Sequence, residues 1–379
     1  MNAKEIVIPR ALRPSDGRFG SGPSKVRTEA VSDLQRAAPR YLGTSHRRPG
    51  VRSVVGAVRA GLRELFALPS DYEVIIGVGG TTILWDALVF SLIARRSQHV
   101  VFGEFSSKFA RAAQLATHLE PPEIISAAPG SWTPPLASPA VDVYALTHNE
   151  TSTGVATPID RVASSGLVVV DATSAAGGLL VDAASFDIYY FAPQKCFASD
   201  GGLWLALCSP PALERIESVR AEDRYIPPSL DLAIALDNSR KDQTYNTPAL
   251  ATLFLLRHQL DWMLERGGLR WSSARSARSA SLLYNWAESS DFAAPFVADA
   301  KLRSNVVGTI DFDDAVDAQE VARILRANDI VDLEPYRSLG RNQLRVGMYP
   351  AVNPDDVARL TQCIDYVVEA AAAGSSPSP

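Results

Sequence analysis

Apolar residues return along this chain in two rhythms. Between Val54 and Phe66 they recur at helical spacing (Val54, Val58, Leu62, Leu65), which predicts an amphipathic helix. Thr28 to Arg40 reads as a helix too, with the polar loop LGTSHRRPGVRS between the two. From residue 72 to residue 209 the apolar positions instead gather into short unbroken runs: YEVII, HVVFGEF, VDVYAL, GLVVVD, FDIYYF and GGLWLALCS. Runs of this kind, rich in β-branched and aromatic residues, are strands covered on both faces. Helical stretches such as TTILWDALVFSLI and SKFARAAQLATHL separate several of them. Strands that alternate with helices predict an α/β fold with a mostly parallel sheet.

Beyond residue 262 the texture changes. A long helical pattern, RWSSARSARSASLLYNWAES, is followed by VVGTIDF, a helix over DAQEVARILRAND, then IVDLEP and NQLRVGMY. That order predicts a small C-terminal α+β domain. Its last helix has a clear start: Asn353 as N-cap, Pro354 in the first turn, and Asp355 and Asp356 facing the dipole. The expected division is an irregular N-terminal arm over 1–25, a large domain over 26–262, a small domain over 263–370 and a disordered tail over 371–379.

Composition narrows the function classes. Of 379 residues, 46% are hydrophobic and 21% charged, as in a globular protein with a sizeable core. The net charge is -5 and the charges are interspersed, so no basic stripe invites nucleic acid. No window approaches the roughly 18 apolar residues of a membrane span, and MNAKEIVIPRALRPSDGR lacks the apolar core of a signal peptide. Cys196, Cys208 and Cys363 form no CxxC pair, and His99, His118, His148 and His258 show no metal spacing. A cytoplasmic protein without a structural metal is expected.

The chemistry concentrates around one lysine. In IYYFAPQKCFASDGGLWLAL, Lys195 stands between two apolar runs, where an unpaired ammonium is costly. Asp171 ends another strand, and the carboxyl ends of such strands are where open α/β sheets hold ligands. A lysine that takes an aldehyde as a Schiff base, with a carboxylate that keeps a ring nitrogen protonated, is what pyridoxal phosphate requires. The bland alternative has Asp171 capping a turn and Lys195 paired with Asp200 at the surface. GVGGTT, between a strand and a helix, offers backbone N–H groups to a phosphate, although a tight turn would look the same. Phe105 in GEFSSKF, after a strand, could stack on a planar ring. Thr147, Thr151 and Thr153 in THNETSTG could donate to cofactor oxygens.

The motifs FGSGPSKV, GTSHR, GGTT, GEFSSKFA, HNETSTGV, VDATSAAGG, YYFAPQKCFASDGG, QTYNTPA and LGRNQLRV run in order over almost the full length. Together they resemble the phosphoserine aminotransferases of actinobacterial type, class-V aminotransferases among the fold type I pyridoxal-phosphate enzymes. The resemblance implies Lys195 as the Schiff-base lysine, Asp171 as partner of the pyridinium nitrogen, and Phe105 in the ring-stacking place where many relatives carry tryptophan. It implies Gly80, Thr81 and Thr82 at the cofactor phosphate, and Thr151 and Gln194 at the ring oxygen or phosphate. Asn246 and Thr247 would reach the phosphate of the neighbouring subunit, hence a homodimer with shared sites. His46, Arg47 and Arg345 would bind substrate, with Arg337 and Arg341 as further candidates. Arginine suits both carboxylate and phosphate because its fork donates two parallel hydrogen bonds.

The implied reaction is transamination between O-phospho-L-serine and 2-oxoglutarate, giving 3-phosphooxypyruvate and L-glutamate, in serine biosynthesis. The phosphohydroxythreonine pair of pyridoxine biosynthesis is a second implied substrate. Alternatives are an alanine–glyoxylate type aminotransferase, a cysteine desulfurase, an NAD-dependent dehydrogenase built on GVGGTT, and a binding protein that has lost catalysis. The desulfurase needs a mobile-loop cysteine, which residues 320–350 lack. The dehydrogenase leaves Lys195 and Asp171 without a purpose.

Overall fold

A computed structural model describes residues 6–162 and 165–375. Helices α1 (Thr28–Tyr41) and α2 (Pro49–Leu65) lead into strand β1 (Glu73–Val78) and helix α3 (Thr81–Ser91). Next come β2 (Ser97–Val101), α4 (Glu104–Leu115), β3 (Glu123–Ser126), β4 (Val143–Thr147) and the small hairpin β5 (Asn149–Glu150) and β6 (Val155–Ala156). Strands β7 (Leu167–Asp171), β8 (Ile188–Phe191) and β9 (Leu203–Cys208) are followed by α5 (Pro210–Arg220), α6 (Leu232–Ser239), α7 (Leu250–Leu264) and α8 (Gly268–Ser289). The chain ends with β10 (Ala293–Pro295), β11 (Val307–Phe312), α9 (Ala318–Ala327), β12 (Gln343–Gly347) and α10 (Pro354–Ser375).

Seven strands form one sheet in the order β1-β9-β8-β7-β4-β2-β3. The pairs from β8 to β3 are parallel, whereas β9 runs antiparallel to both β8 and β1. Every residue of β4, β7, β8 and β9 is buried, as the unbroken apolar runs require. Alternation along a strand feeds two cores. Val169 and Tyr190 pack with Trp85, Phe109 and Leu236 on one face; Val168, Val170 and Tyr189 pack with Leu62 and Leu256 on the other. The order β10-β11-β12 makes a second, three-stranded sheet, whose core draws on α8, α9 and α10.

Several boundaries differ from expectation, each for a local reason. Helix α2 starts at Pro49 rather than Val54, because proline's fixed φ suits the first helical turn. The HVVFGEF strand stops at Val101, and α4 begins at Glu104, so Phe105 is a helix residue. IVDLEP forms no strand; Val331 makes only an isolated bridge to Arg18. Helices α5 and α6 and the edge strand β3 were not foreseen. Helix α10 continues to Ser375, so residues 371–375 of the expected disordered tail are helical, and residues 376–379 lie outside the described residues. Asn353 does accept the Asp355 N–H (3.4 Å), as an N-cap should.

The N-terminal segment is irregular but anchored at both ends. Ile8 and Phe19 are fully buried in the core of the small sheet. Phe19 donates to the Val331 carbonyl (3.3 Å) and accepts from Gly347 N (2.7 Å). A few residues on, Ser24 N donates to the Gln194 carbonyl (2.8 Å) and Ser24 Oγ to the Lys195 carbonyl (2.5 Å). The segment thus crosses from the small sheet to the turn that carries Lys195.

Candidate active site

A cavity of about 420 Å³ opens at the carboxyl ends of β4, β7 and β8. Its wall includes Lys195, Asp171, Gly80, Thr81, Thr82, Phe105, Thr151 and Gln194, all named from the sequence. It also includes Gly22, Pro23, Trp85, Thr147, Asn149, Thr173, Asp200 and Gly201.

Lys195 follows β8 and is buried. Its Nζ donates to the Ser21 carbonyl at 2.5 Å, which also accepts from the Tyr349 hydroxyl at 2.7 Å. It does not pair with Asp200, whose carboxylate accepts the Gly201 N–H. Burial, helped by the nearby Arg345 charge, pushes the Lys195 pKa down from 10.5 to about 8. A glycine at position 22 is obligatory here: a Cβ would lie 1.9 Å from Lys195 Nζ, and φ is +144°.

Asp171 ends β7. Its Oδ1 accepts from Thr173 N (2.9 Å) and Thr173 Oγ1 (2.6 Å), and its Oδ2 from the Trp85 indole N–H (3.2 Å). Burial raises its pKa, while the Thr173 and Trp85 hydrogen bonds work in the opposite direction. The carboxylate is therefore costly to ionise alone and gains from a cationic partner.

One end of the cavity is the start of α3. Gly80 is its N-cap, and the intrahelical ladder begins with Ile83 N and Leu84 N donating to the Gly80 carbonyl. The N–H groups of Thr81 and Thr82 stand ahead of that ladder, at the positive end of the helix dipole. Phe105 is placed by the first turn of α4. The fully buried Glu150 accepts from the N–H groups of Phe105 (3.3 Å) and Ser106 (2.9 Å), and also from Ser106 Oγ and Ser152. A carboxylate at a helix N-terminus is favourable on dipole grounds, and it fixes where the Phe105 ring starts.

Unpartnered polar atoms test whether a polar cofactor fits. The side-chain oxygens of Gln194 and Asn149 are buried in the cavity wall without a hydrogen-bond partner among the described residues. Buried polar atoms are normally satisfied, so this wall is built for a polar ligand. With an amine, a buried carboxylate, a helix N-terminus and an aromatic face, the donor set fits pyridoxal phosphate. Among the described residues no His, Cys, Asp or Glu cluster could hold a metal ion. Cys196, beside the lysine, is buried with its thiol pKa raised by burial, and so is packed rather than reactive.

The expected substrate residues divide. Arg345 on β12 points Nη1 at the Thr151 carbonyl (3.2 Å), and its guanidinium lies 5.2 Å from the Tyr336 ring centroid. Its Nε is buried without a partner among the described residues. Tyr336 in turn meets Phe105 edge-on at 5.7 Å. His46, Arg47, Asn246 and Thr247 do not reach the cavity of their own chain. They cluster on the surface, with His46 Nδ1 3.4 Å from Thr247 Oγ1, and Arg47 donating to Gln243 Oε1 (2.8 Å) and the Tyr245 carbonyl (3.4 Å). Arg341 is paired with Asp311 and lies over Phe296. Arg337 is exposed in a 3-10 turn.

Trp85, Glu150, Gly22 and Tyr336 escaped sequence reasoning. Trp85 and Glu150 sit in stretches that read as core helix and turn. Gly22, in FGSGPSK, did announce a special turn.

The model of the class-V aminotransferases matches residues 19–360, and the chain belongs to that family. Its likeness to phosphoserine aminotransferases extends over nearly the whole length. It is 57% identical to that of Rhodococcus jostii, covering 96% of this chain and 98% of the relative, and 57% identical to that of a Nocardioides species, with the same shares. Among solved structures, the phosphoserine aminotransferase of Cytophaga hutchinsonii superposes with a TM-score of 0.85 at 26% identity, over 92% of this chain and 99% of that one. The pyridoxal-phosphate-bound enzyme of Trichomonas vaginalis shares the fold, with a TM-score of 0.78 at 18% identity over 92% and 99%. These likenesses bear out the fold type I expectation and set aside the dehydrogenase reading.

Proposed function

We propose that the chain exchanges an amino group between O-phospho-L-serine and 2-oxoglutarate, giving 3-phosphooxypyruvate and L-glutamate, the transamination step of serine biosynthesis. The observation that carries this reading is the meeting, in one cavity, of the Lys195 amine, the Asp171 carboxylate and the start of α3. Pyridoxal phosphate, when bound, supplies an aldehyde that takes up amino groups and a ring that spreads negative charge from the adjacent carbon. Asp171 holds the ring nitrogen protonated. Gly80, Thr81 and Thr82 take the phosphate, Phe105 covers a ring face, and Thr151 and Gln194 offer polar contacts. Lys195 anchors the cofactor and, once freed, carries the proton that leaves the substrate α-carbon. With a pKa of about 8, roughly a quarter of the amine is neutral at pH 7.5, against about one part in a thousand for an exposed lysine.

Arg345 binds the α-carboxylate, for which its buried, unpartnered Nε is the supporting feature. Every amino-acid substrate carries that carboxylate, so Arg345 serves both half-reactions. His46 and Arg47 bind the substrate phosphate or the distal carboxylate of glutamate. Asn246 and Thr247 join them at the site of a neighbouring subunit, which makes the enzyme a homodimer. Their position outside their own cavity supports this sharing.

Purified protein mixed with O-phospho-L-serine and 2-oxoglutarate should release glutamate, and borohydride reduction followed by peptide mapping should label Lys195. Faster turnover of alanine with glyoxylate would replace the substrate assignment. Label on a different lysine would overturn the site.

A further inference from the structure

Trp85 lies in the first turns of α3, on its buried face with Leu84 and Leu88. Its indole is 4% exposed, stacked on Phe109 with ring centroids 6.3 Å apart. Packing alone explains an aromatic ring there. It does not explain where the N–H goes. That N–H is shared between Asp171 Oδ2 (3.2 Å) and the Tyr190 hydroxyl oxygen (3.0 Å). The indole N–H thus points between a carboxylate oxygen and a hydroxyl oxygen, both buried. On the other side, both Thr173 donors fall on Oδ1. The carboxylate is thus held by donors on both oxygens and cannot rotate about its Cβ–Cγ bond without breaking buried hydrogen bonds.

We propose that Trp85 is a positioning residue for the cofactor: its indole N–H fixes the Asp171 carboxylate and keeps it charged, so that the carboxylate can hold a protonated ring nitrogen. This inference rests on the reading of Asp171 given above. The physical need is specific. A buried carboxylate tends to protonate, and a neutral acid at this position would no longer raise the proton affinity of a ring nitrogen. The N–H of Trp85 opposes that tendency without bringing in a positive charge that would compete with the pyridinium.

The test compares two non-covalent ligands that differ by one atom. Pyridoxamine phosphate has the ring nitrogen; its 1-deaza analogue has a C–H there. Neither ligand bonds covalently to Lys195, so dissociation constants report the ring contact. Wild type should bind the nitrogen-containing ligand more tightly, and Asp171→Asn should erase the preference. Trp85→Phe should lower the preference about tenfold, the amount expected for one hydrogen bond to a charged group, with the loss falling on the nitrogen-containing ligand alone. If Trp85→Phe fails to fold, replacement of Trp85 by β-(3-benzothienyl)alanine keeps the shape and removes only the N–H. Equal loss for both ligands would reduce Trp85 to packing and overturn the proposal, as would an unchanged preference in a Trp85 variant when Asp171→Asn abolishes it. A preference that survives Asp171→Asn would instead overturn the reading of Asp171 itself.

Discussion

Replacing Lys195 by methionine gives a test of the site that needs no turnover. Lys195→Met removes the ammonium and keeps an unbranched chain that fills the same channel. In the apoprotein, burial lowers the lysine pKa from 10.5 to about 8. At about 1.4 kcal/mol per tenfold change in proton affinity, the buried ammonium is about 3 kcal/mol less favourable than the same group in the unfolded chain. The sign follows from linkage: between about pH 8 and 10.5 the unfolded chain binds more protons than the folded one, so stability rises with pH. Below pH 8 the penalty is complete; above 10.5 it is gone. Integrated from pH 7 to pH 9.5, the gain is about 2 kcal/mol. Urea unfolding of the wild-type apoprotein and of Lys195→Met at these two pH values, at one fixed protein concentration, isolates the term, because groups away from position 195 are common to both chains. The wild type should gain about 2 kcal/mol on the variant as pH rises. A difference that stays constant would mean that the folded lysine titrates like an exposed one, and the claim that the site primes it as a base would fail.

The neighbouring positions carry their own expectations. Gly22→Ala puts a Cβ within 1.9 Å of Lys195 Nζ at a φ of +144°, and turnover should fall at least about a hundredfold as the amine is displaced; a variant within threefold of wild type in steady-state assays would refute the contact. Glu150→Gln replaces the carboxylate that receives the Phe105, Ser106 and Ser152 N–H groups, and should cost about 1–3 kcal/mol in urea unfolding together with weaker cofactor binding; unchanged binding would detach α4 from the cofactor. Co-expression of Lys195→Ala with Thr247→Glu should restore activity that neither homodimer has, since a two-fold dimer then keeps one site intact; a verified heterodimer without activity would return Thr247 to its own subunit.

The fold was legible where burial is two-sided. Strands β4, β7, β8 and β9 are buried at every residue, so their sequences are apolar without interruption. The edge strand β3 alternates half-buried and exposed over Glu123–Ser126, too short a pattern to stand out. The direction of β9 was hidden for a different reason. A fully buried strand looks the same in either orientation, and only its pairing with β8 and β1 fixes it. The start of α2 at Pro49 was masked because its first turn offers one buried apolar residue, Val51, among Pro49, Gly50, Arg52 and Ser53.

The cavity was legible to the extent that its chemistry is local. Lys195 and Asp171 announce themselves because a charged residue at the end of an apolar strand needs a reason. Their supports do not, because each lies far away in sequence. Trp85 reaches Asp171 across 86 positions, Ser21 reaches Lys195 across 174, and Arg345 reaches Thr151 across 194. The N-terminal segment shows the limit most clearly. It has no periodicity because it bonds to other segments and not to itself, yet it brings Ser21 and Gly22 against the lysine and buries Phe19 in the small-sheet core. The small sheet is thus tied to the Lys195 amine by backbone, from Gly347 N on the Phe19 carbonyl to Lys195 Nζ on the Ser21 carbonyl. On the proposed reading, with a substrate carboxylate at Arg345 and Lys195 as the base, this segment ties the sheet that carries the one to the turn that carries the other.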